Sequence, residues 1–121
     1  MLDAMTDNES KLEEAVDAIS DKAYDKALSI LLPLAEEEFP GAVGMLGFLY
    51  LCGECVELDA PKVVELLIKA VELGDGTAAH NLGTVFSAGL PGVGQDAEKS
   101  KYYYRKAKEM GAQYAPDEFY E

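Results

Sequence analysis

Residues 41–74 read GAVGMLGFLYLCGECVELDAPKVVELLIKAVELG, and residues 76–111 read GTAAHNLGTVFSAGLPGVGQDAEKSKYYYRKAKEMG. The second stretch repeats the first with a register of 36 residues, which becomes 37 after one residue is inserted in the loop. The matched pairs include Ala42 and Ala78, Leu46 and Leu82, Gly47 and Gly83, Asp59 and Asp96, Lys69 and Lys106, and Gly74 and Gly111. A fixed period of this length is typical of a stacked array of supersecondary units.

Each unit has the pattern of two antiparallel helices joined by a glycine-containing loop. In the first helix, apolar residues recur at three- and four-residue spacing, as they do on one face of an α-helix. In the first unit these residues are Ala42, Leu46, Leu49 and Tyr50. Asp59 follows the loop at a position typical of a helix N-cap, and Gly74 stands where a left-handed residue ends many helices.

Glycine also occurs inside the first helix of both units, at Gly47 and Gly83. Glycine in a helix interior costs about 1 kcal/mol relative to alanine. Its recurrence therefore indicates that another helix approaches closely at this point. We expect the facing small residues to be Ala70 and Ala107.

The combined pattern is Ala-x3-Leu-Gly-x2-Tyr/Phe, then a Gly-rich loop ending in Asp, then Lys-Ala and Glu-x-Gly. It resembles the Sel-one-like repeat, a short relative of the tetratricopeptide repeat, and the two units cover about 70 residues. The resemblance implies an all-α, right-handed α-α solenoid that binds other proteins, in a family whose members usually have no catalytic activity.

A third, more divergent copy of the unit precedes these two. Thr6 to Glu9 has the spacing of a capping box, and apolar stripes follow in two helical segments. The stripe residues are Leu12, Ala15, Val16 and Ile19, and then Ala27, Leu28, Leu31, Leu32, Leu34 and Ala35. Pro33 should bend or interrupt the second helix.

The sequence thus predicts one domain, residues 1–121, with helical hairpins at about 8–38, 41–74 and 76–111. Residues 112–121 are expected to cap the last hairpin, with Tyr114 or Phe119 on the exposed core. The alternative is that they form an acidic, aromatic tail that binds a partner.

Acidic residues outnumber basic ones by 23 to 10, for a net charge of −13, and residues 1–40 carry −8 of it. This balance disfavours nucleic acid and would steer a basic protein toward the amino-terminal end. The alternative is that the acidity only maintains solubility. The first ten residues lack a signal-peptide pattern and no run reaches about 18 apolar residues, so we expect a cytoplasmic protein without a membrane span.

Residues able to carry chemistry are few. Cys52 and Cys55 have CxxC spacing, but zinc needs four ligands, or three with an open position, and no second cysteine pair exists. His80 is the single histidine, and no serine, cysteine or carboxylate lies nearby at helical spacing to complete a nucleophile set. We therefore predict no catalytic residue, no cofactor and no metal site.

Comparison of the two units indicates a binding surface. Met45, Phe48 and Cys52 form an apolar stripe where the second unit has Asn81, Thr84 and Ala88. The apolar stripe could bind a partner on the concave wall, or the amino-terminal hairpin could pack over it. The predicted partner-binding residues are Met45, Phe48, His80, Asn81, Thr84, Glu13, Asp17, Glu36, Glu37 and Glu38. The run Glu36 to Glu38 has a second interpretation, a solvated helix end.

Three functions are compatible with these patterns. The first is a small acidic immunity-type inhibitor, expected as a monomer or weak dimer, that binds a basic toxin or effector protein. Its acids would mimic phosphate while Met45 and Phe48 anchor the contact. The second is an adaptor or scaffold that holds a peptide or helix in its concave groove. The third, more distant, is the hydrolase-like activity of some relatives, which would need His80.

Overall fold

The computed structural model describes residues 6–53 and 57–112, and this part of the chain contains six α-helices and no strand. The helices are α1 (Asp7–Ser20), α2 (Tyr24–Glu36), α3 (Pro40–Cys52), α4 (Ala60–Glu72), α5 (Gly76–Ala88) and α6 (Ala97–Glu109). Within each unit α1 packs on α2, α3 on α4 and α5 on α6, and the units are joined by α2 on α3 and α4 on α5. The prediction of an all-α helical repeat is confirmed.

The predicted helix starts are confirmed by hydrogen bonds. The Asp59 and Asp96 carboxylates accept from the backbone N–H of Lys62 at 3.1 Å and of Lys99 at 3.0 Å. Likewise, the Thr6 hydroxyl accepts from the Glu9 N–H at 3.1 Å. Each such bond satisfies a backbone donor that the first helical turn leaves without an intrahelical partner.

The junction between the two complete units is one continuous capping structure. Gly74 has φ +104°, which a residue with a Cβ adopts only with strain. This conformation lets the N–H groups of Gly74 and Asp75 donate to the carbonyls of Val71 and Ala70, both at 2.9 Å. Asp75 then caps α5 by accepting from the Thr77 N–H at 3.1 Å. The end of α4 therefore fixes the start of α5.

The apolar core has two main clusters, and α3 contributes to both. One cluster joins α3 to the two helices that follow, and its members are Val43, Val63, Leu67, Ala70, Ala78, Leu82, Val85 and Phe86. The other joins α3 to the first hairpin, and its members are Ala15, Leu31, Leu34, Ala42, Leu46 and Leu49. Because α3 is buried on two sides, it links the first hairpin to the rest of the solenoid.

The close approach expected at Gly47 and Gly83 is present, but the predicted facing residues are wrong. A Cβ at Gly47 would lie 2.8 Å from Leu67 Cδ2, and one at Gly83 would lie 2.5 Å from Tyr104 Cδ1. The glycines therefore make room for large side chains. The small residues lie one turn away: Ala70 is near Gly44 and Ala107 packs with Ala79.

Two expectations for the first hairpin are wrong in detail. The side chain of Leu32 is 51% exposed, because its neighbours Leu31 and Leu34 occupy the buried face of α2. In addition, α2 continues through Pro33 to Glu36 without interruption. The proline is exposed and removes one i→i−4 hydrogen bond, the one to the Ser29 carbonyl, while the buried neighbours Leu31 and Leu34 hold this part of α2 against the core.

At the carboxyl end, Ala112 is buried against Ala79 and Ala107. The remaining residues of the predicted cap, 113–121, lie outside the described residues, and with them Tyr114 and Phe119. Within the described ranges, every helix is too short or too polar to cross a bilayer.

The contact at Gly83 leads to a prediction on stability. Gly83→Ala should lower the free energy of unfolding by about 1 kcal/mol, and by about 2 kcal/mol at most, measured by urea denaturation. The helix gains about 1 kcal/mol in propensity, but overpacking against the Tyr104 ring costs about 1–3 kcal/mol.

A double-mutant cycle isolates the cause. Once Tyr104→Ala has removed the ring, Gly83→Ala should stabilise the protein by up to about 1 kcal/mol. If Gly83→Ala stabilises the wild-type protein as well, the ring contact does not account for the glycine.

Candidate functional site: a groove along α3

A groove of about 360 Å³ runs along the first half of α3 and brings together residues from α1, α3 and the start of α5. Its lining residues are Leu12, Gly41, Gly44, Met45, Phe48, Asp75, Thr77 and Asn81. We call it the α3 groove. A wider cleft of about 670 Å³ lies near Tyr50, Leu58 and Pro61, but none of the predicted site residues lines it. The α3 groove is therefore the candidate site.

Two glycines of α3 shape this groove. A Cβ at Gly41 would lie 2.5 Å from Leu12 Cδ2, and a Cβ at Gly44 would overlap the Asp75 carboxylate. Gly41 and Gly44 are three residues apart and so lie on one face of the helix. Because neither has a side chain, Leu12 and Asp75 reach the α3 backbone and form the two sides of the groove.

The predicted stripe on α3 is only partly covered. Met45 is half-buried and packs against the first-hairpin cluster, as the packing alternative expected. Phe48 is 37% exposed and lines the groove together with Met45. The first hairpin therefore covers part of the stripe, and partner binding at Phe48 stays a prediction.

The cysteines lie apart from this site. Cys52 is exposed at the end of α3 and is not a lining residue, while Cys55 lies outside the described residues.

The predicted residues of α5 divide between two environments. Asn81 lines the groove, together with Thr77. His80 packs its ring on Tyr104 with centroids 5.3 Å apart, and the Thr84 hydroxyl lies 3.0 Å from the Tyr104 hydroxyl. Burial lowers the pKa of His80. His80 and Thr84 therefore contribute to packing between α5 and α6. Neither residue lines the α3 groove.

The predicted acidic residues are exposed, but none of them lines the α3 groove. Glu13 and Asp17 lie on α1, the helix that provides Leu12. The run Glu36 to Glu38 lies at the end of α2, and Glu37 borders a separate depression of about 270 Å³ between α1 and α2. Among these acids, Glu13 and Asp17 are therefore the ones on a helix that forms the groove.

Asp75 is the lining residue with the most distinctive chemistry. Burial raises the pKa of its carboxyl group, while hydrogen bonds from the backbone of Ala78 and Thr77 act in the opposite direction. The Asp75 side chain is half-buried and lines the same groove as the apolar side chains of Met45 and Phe48. The α3 groove is thus apolar on one side, with a half-buried carboxylate on the other.

Sequence reasoning missed Asp75, although a signal was present. The 36-residue register places Asp75 opposite Phe39 and places His80 opposite Gly44. A full comparison of the units would therefore have found a polar-for-apolar exchange at the start of α5. The lining residues Leu12, Gly41, Gly44 and Thr77 were also missed, because their meeting depends on how separate helices pack.

The environment of Asp75 leads to a prediction on stability and pH. Asp75→Asn keeps a capping side chain, whereas Asp75→Ala removes it and should cost about 0.5–2 kcal/mol. A carboxyl group with a raised pKa in the folded state contributes stability below its unfolded pKa and loses it as pH rises through the folded pKa. The free energy of unfolding of the wild type, minus that of Asp75→Asn, should therefore fall as pH rises from about 4, the pKa of an unfolded aspartate, through the raised pKa of folded Asp75.

The measurement is urea denaturation of the three proteins at a series of pH values. Since the other titratable groups are common to all three, the difference reports on residue 75. A difference that rises with pH would show that hydrogen bonding, rather than burial, dominates at this carboxylate.

Comparison with known proteins agrees with this architecture. The family model of the Sel1 repeat matches residues 42–75 and 76–111. A crystal structure of a Sel1 repeat protein from Oxalobacter formigenes superposes with a TM-score of 0.71 and 28% sequence identity. The match covers 87% of this chain and 40% of that one, so the chain spans less than half the length of that relative. No curated protein matches the chain significantly.

The two matched segments are the two units recognised from the sequence period, and together they make up more than half of the chain. Sel1 repeats generally mediate protein–protein interactions. On the repeat match and the shared fold, the chain belongs to the Sel1 repeat family.

Proposed function

We propose that this protein is a non-catalytic, immunity-type inhibitor that binds a basic toxin or effector protein. The observation that carries the proposal is the charge of the first hairpin. Residues 6–38 contain ten acidic side chains and three lysines, a net charge of −7, and all thirteen side chains are exposed. Within this range, the one ion pair joins Glu14 to Lys26 at 3.6 Å, so nine of the ten acidic side chains are not neutralised by a neighbour within it.

This charge favours a basic partner for two reasons. Like charges on one hairpin repel each other, and a cationic surface relieves that repulsion when it binds. The summed field also raises the rate of association with a basic protein, more strongly at low salt. An acidic surface that covers the basic site of a toxin would compete with an anionic substrate for the same cations.

The α3 groove provides the second part of the proposed contact. Phe48 and Met45 offer an apolar anchor, and aromatic side chains at the centre of an interface often dominate its affinity. His80 supports the non-catalytic part of the proposal, because its ring is engaged in packing on Tyr104.

The apolar side of the groove favours a second candidate, an adaptor that holds a peptide or a helix. The two candidates differ in how they depend on salt. Binding through the acidic hairpin weakens as salt screens the charges, whereas binding through apolar contacts alone does not.

Capture from a lysate of the source organism, followed by mass spectrometry, tests the proposal. The immobilised proteins are the wild type, Phe48→Ala and the double variant Glu13→Gln/Asp17→Asn. Tyr102→Ala is the matched control, because Tyr102 is 57% exposed and lies outside the groove. We expect one stoichiometric basic partner that high salt releases.

Measured on that purified partner, Phe48→Ala should weaken binding about fivefold or more, as loss of an aromatic anchor does. The double variant should mainly slow association and flatten the salt dependence. The control should bind like the wild type. A partner that resists salt but needs Phe48 would instead identify the adaptor. A partner that is indifferent to both variants would contradict both candidates.

A further inference from the structure

The α3 groove has two chemically different sides. Leu12, Met45 and Phe48 make one side apolar, and Asp75, Thr77 and Asn81 make the other side polar. No basic side chain is among the lining residues in the described part of the chain. A ligand that matches both sides must therefore present an apolar group and a hydrogen-bond donor or cation close together.

We infer that the α3 groove binds a partner segment that carries an apolar side chain next to an arginine or lysine, and that Asp75 receives the cation. This inference rests on the proposed function, since it assigns the partner chemistry to the same groove. It makes Asp75 a specificity-determining residue, in addition to its role as the cap of α5.

The size of the groove agrees with side chains rather than a whole helix as the occupant. A volume of about 360 Å³ is at the small end of ligand pockets, and an α-helix with its side chains is about 10 Å wide. The groove therefore fits one or two side chains from a segment that lies across α3. Phe48 and Met45 would contact the apolar one.

The Asp75 carboxylate has acceptor capacity for a cation. One of its oxygens, Oδ1, accepts from the Thr77 N–H at 3.1 Å, and the backbone of Ala78 also donates to the carboxylate. A carboxylate has about four lone-pair sites, so about two remain for a ligand. The other oxygen of Asp75, Oδ2, packs against the α3 backbone at Gly44, and the residue also lines the groove. Because the carboxylate is half-buried, an ion pair here is screened less by salt than one on the acidic surface of α1.

The charge pattern around the groove also selects a cation over a neutral donor. Glu13 and Asp17 are exposed on α1, the helix that provides Leu12 to the groove. They attract a basic segment from a distance but lie outside the lining. Asp75 is the acid inside the groove, so the choice between a cation and its neutral analogue depends on Asp75.

The test uses two synthetic peptides as probes, N-acetyl-leucyl-arginine amide and its citrulline counterpart. Citrulline has nearly the shape of arginine but no charge. Binding is followed by titration in ¹H–¹⁵N NMR spectra of the full chain. We expect saturable shifts at Phe48, Asp75 and Thr77, and an affinity for the arginine peptide about fivefold higher, which is about 1 kcal/mol.

Two variants of N-cap aspartates distinguish an ion pair with Asp75 from nonspecific attraction of a cation to the acidic protein. Asp75→Asn should bind both peptides with equal affinity, because asparagine caps a helix as well as aspartate does but carries no charge. Asp96→Asn makes the same change at the cap of α6, outside the groove, and should keep the fivefold preference. Thermal unfolding of both variants verifies that the fold is retained.

Three outcomes would overturn the inference. They are equal binding of the two peptides to the wild type, a preference for arginine that survives Asp75→Asn, and no saturable shift at groove residues with either peptide. The capture experiment distinguishes failure of this inference from failure of the proposed function. A basic partner that needs Phe48 while the peptides show no dependence on Asp75 would reject this inference and retain the inhibitor proposal.

Discussion

The packing of this molecule depends on a stripe of three glycines on α3, at Gly41, Gly44 and Gly47. They are spaced three residues apart, so they lie along one side of the helix, and each receives a side chain from a different neighbour. Leu12 of α1 fills the first space, Asp75 at the start of α5 the second and Leu67 of α4 the third. An added Cβ at any of the three positions would force the facing side chain to move.

Glycine is a costly choice inside a helix, at about 1 kcal/mol per residue relative to alanine. Full burial of a leucine side chain contributes about 1.5–3 kcal/mol. Leu67 is fully buried beside Gly47, so the gain from burial offsets the loss of helix propensity. The same stripe determines the shape of the groove. The packing of α3 and the shape of the groove therefore depend on glycines of the same stripe, Gly47 for the first and Gly41 and Gly44 for the second.

The acidic hairpin has a different physical basis. Its exposed carboxylates add little to stability, since an exposed ion pair such as Lys26–Glu14 contributes about 1 kcal/mol at most. The hairpin is held instead by apolar residues such as Leu31 and Leu34, which are buried against α3. In the first hairpin, the charged residues are thus different from the residues that stabilise the fold. The charged surface can therefore contact a partner without loss of the fold.

The sequence by itself determined the features that come from local chemistry. The repeat period predicts the helical hairpins. Asp59 and Asp96 identify helix starts and Gly74 identifies a helix end, because each helix end depends on hydrogen bonds within a few residues. The stripe of Met45 and Phe48 was also found from sequence, by comparison of the two units.

Only the tertiary structure decided which side chains fill the glycine spaces and that Asp75 and Phe48 line the same groove. Periodicity within a helix shows which face is buried, but not how far one helix slides along its neighbour. A shift of one turn separates the expected contact of Gly47 with Ala70 from the observed contact with Leu67. The groove is defined by several such contacts between helices, and for that reason the tertiary structure was needed to find it.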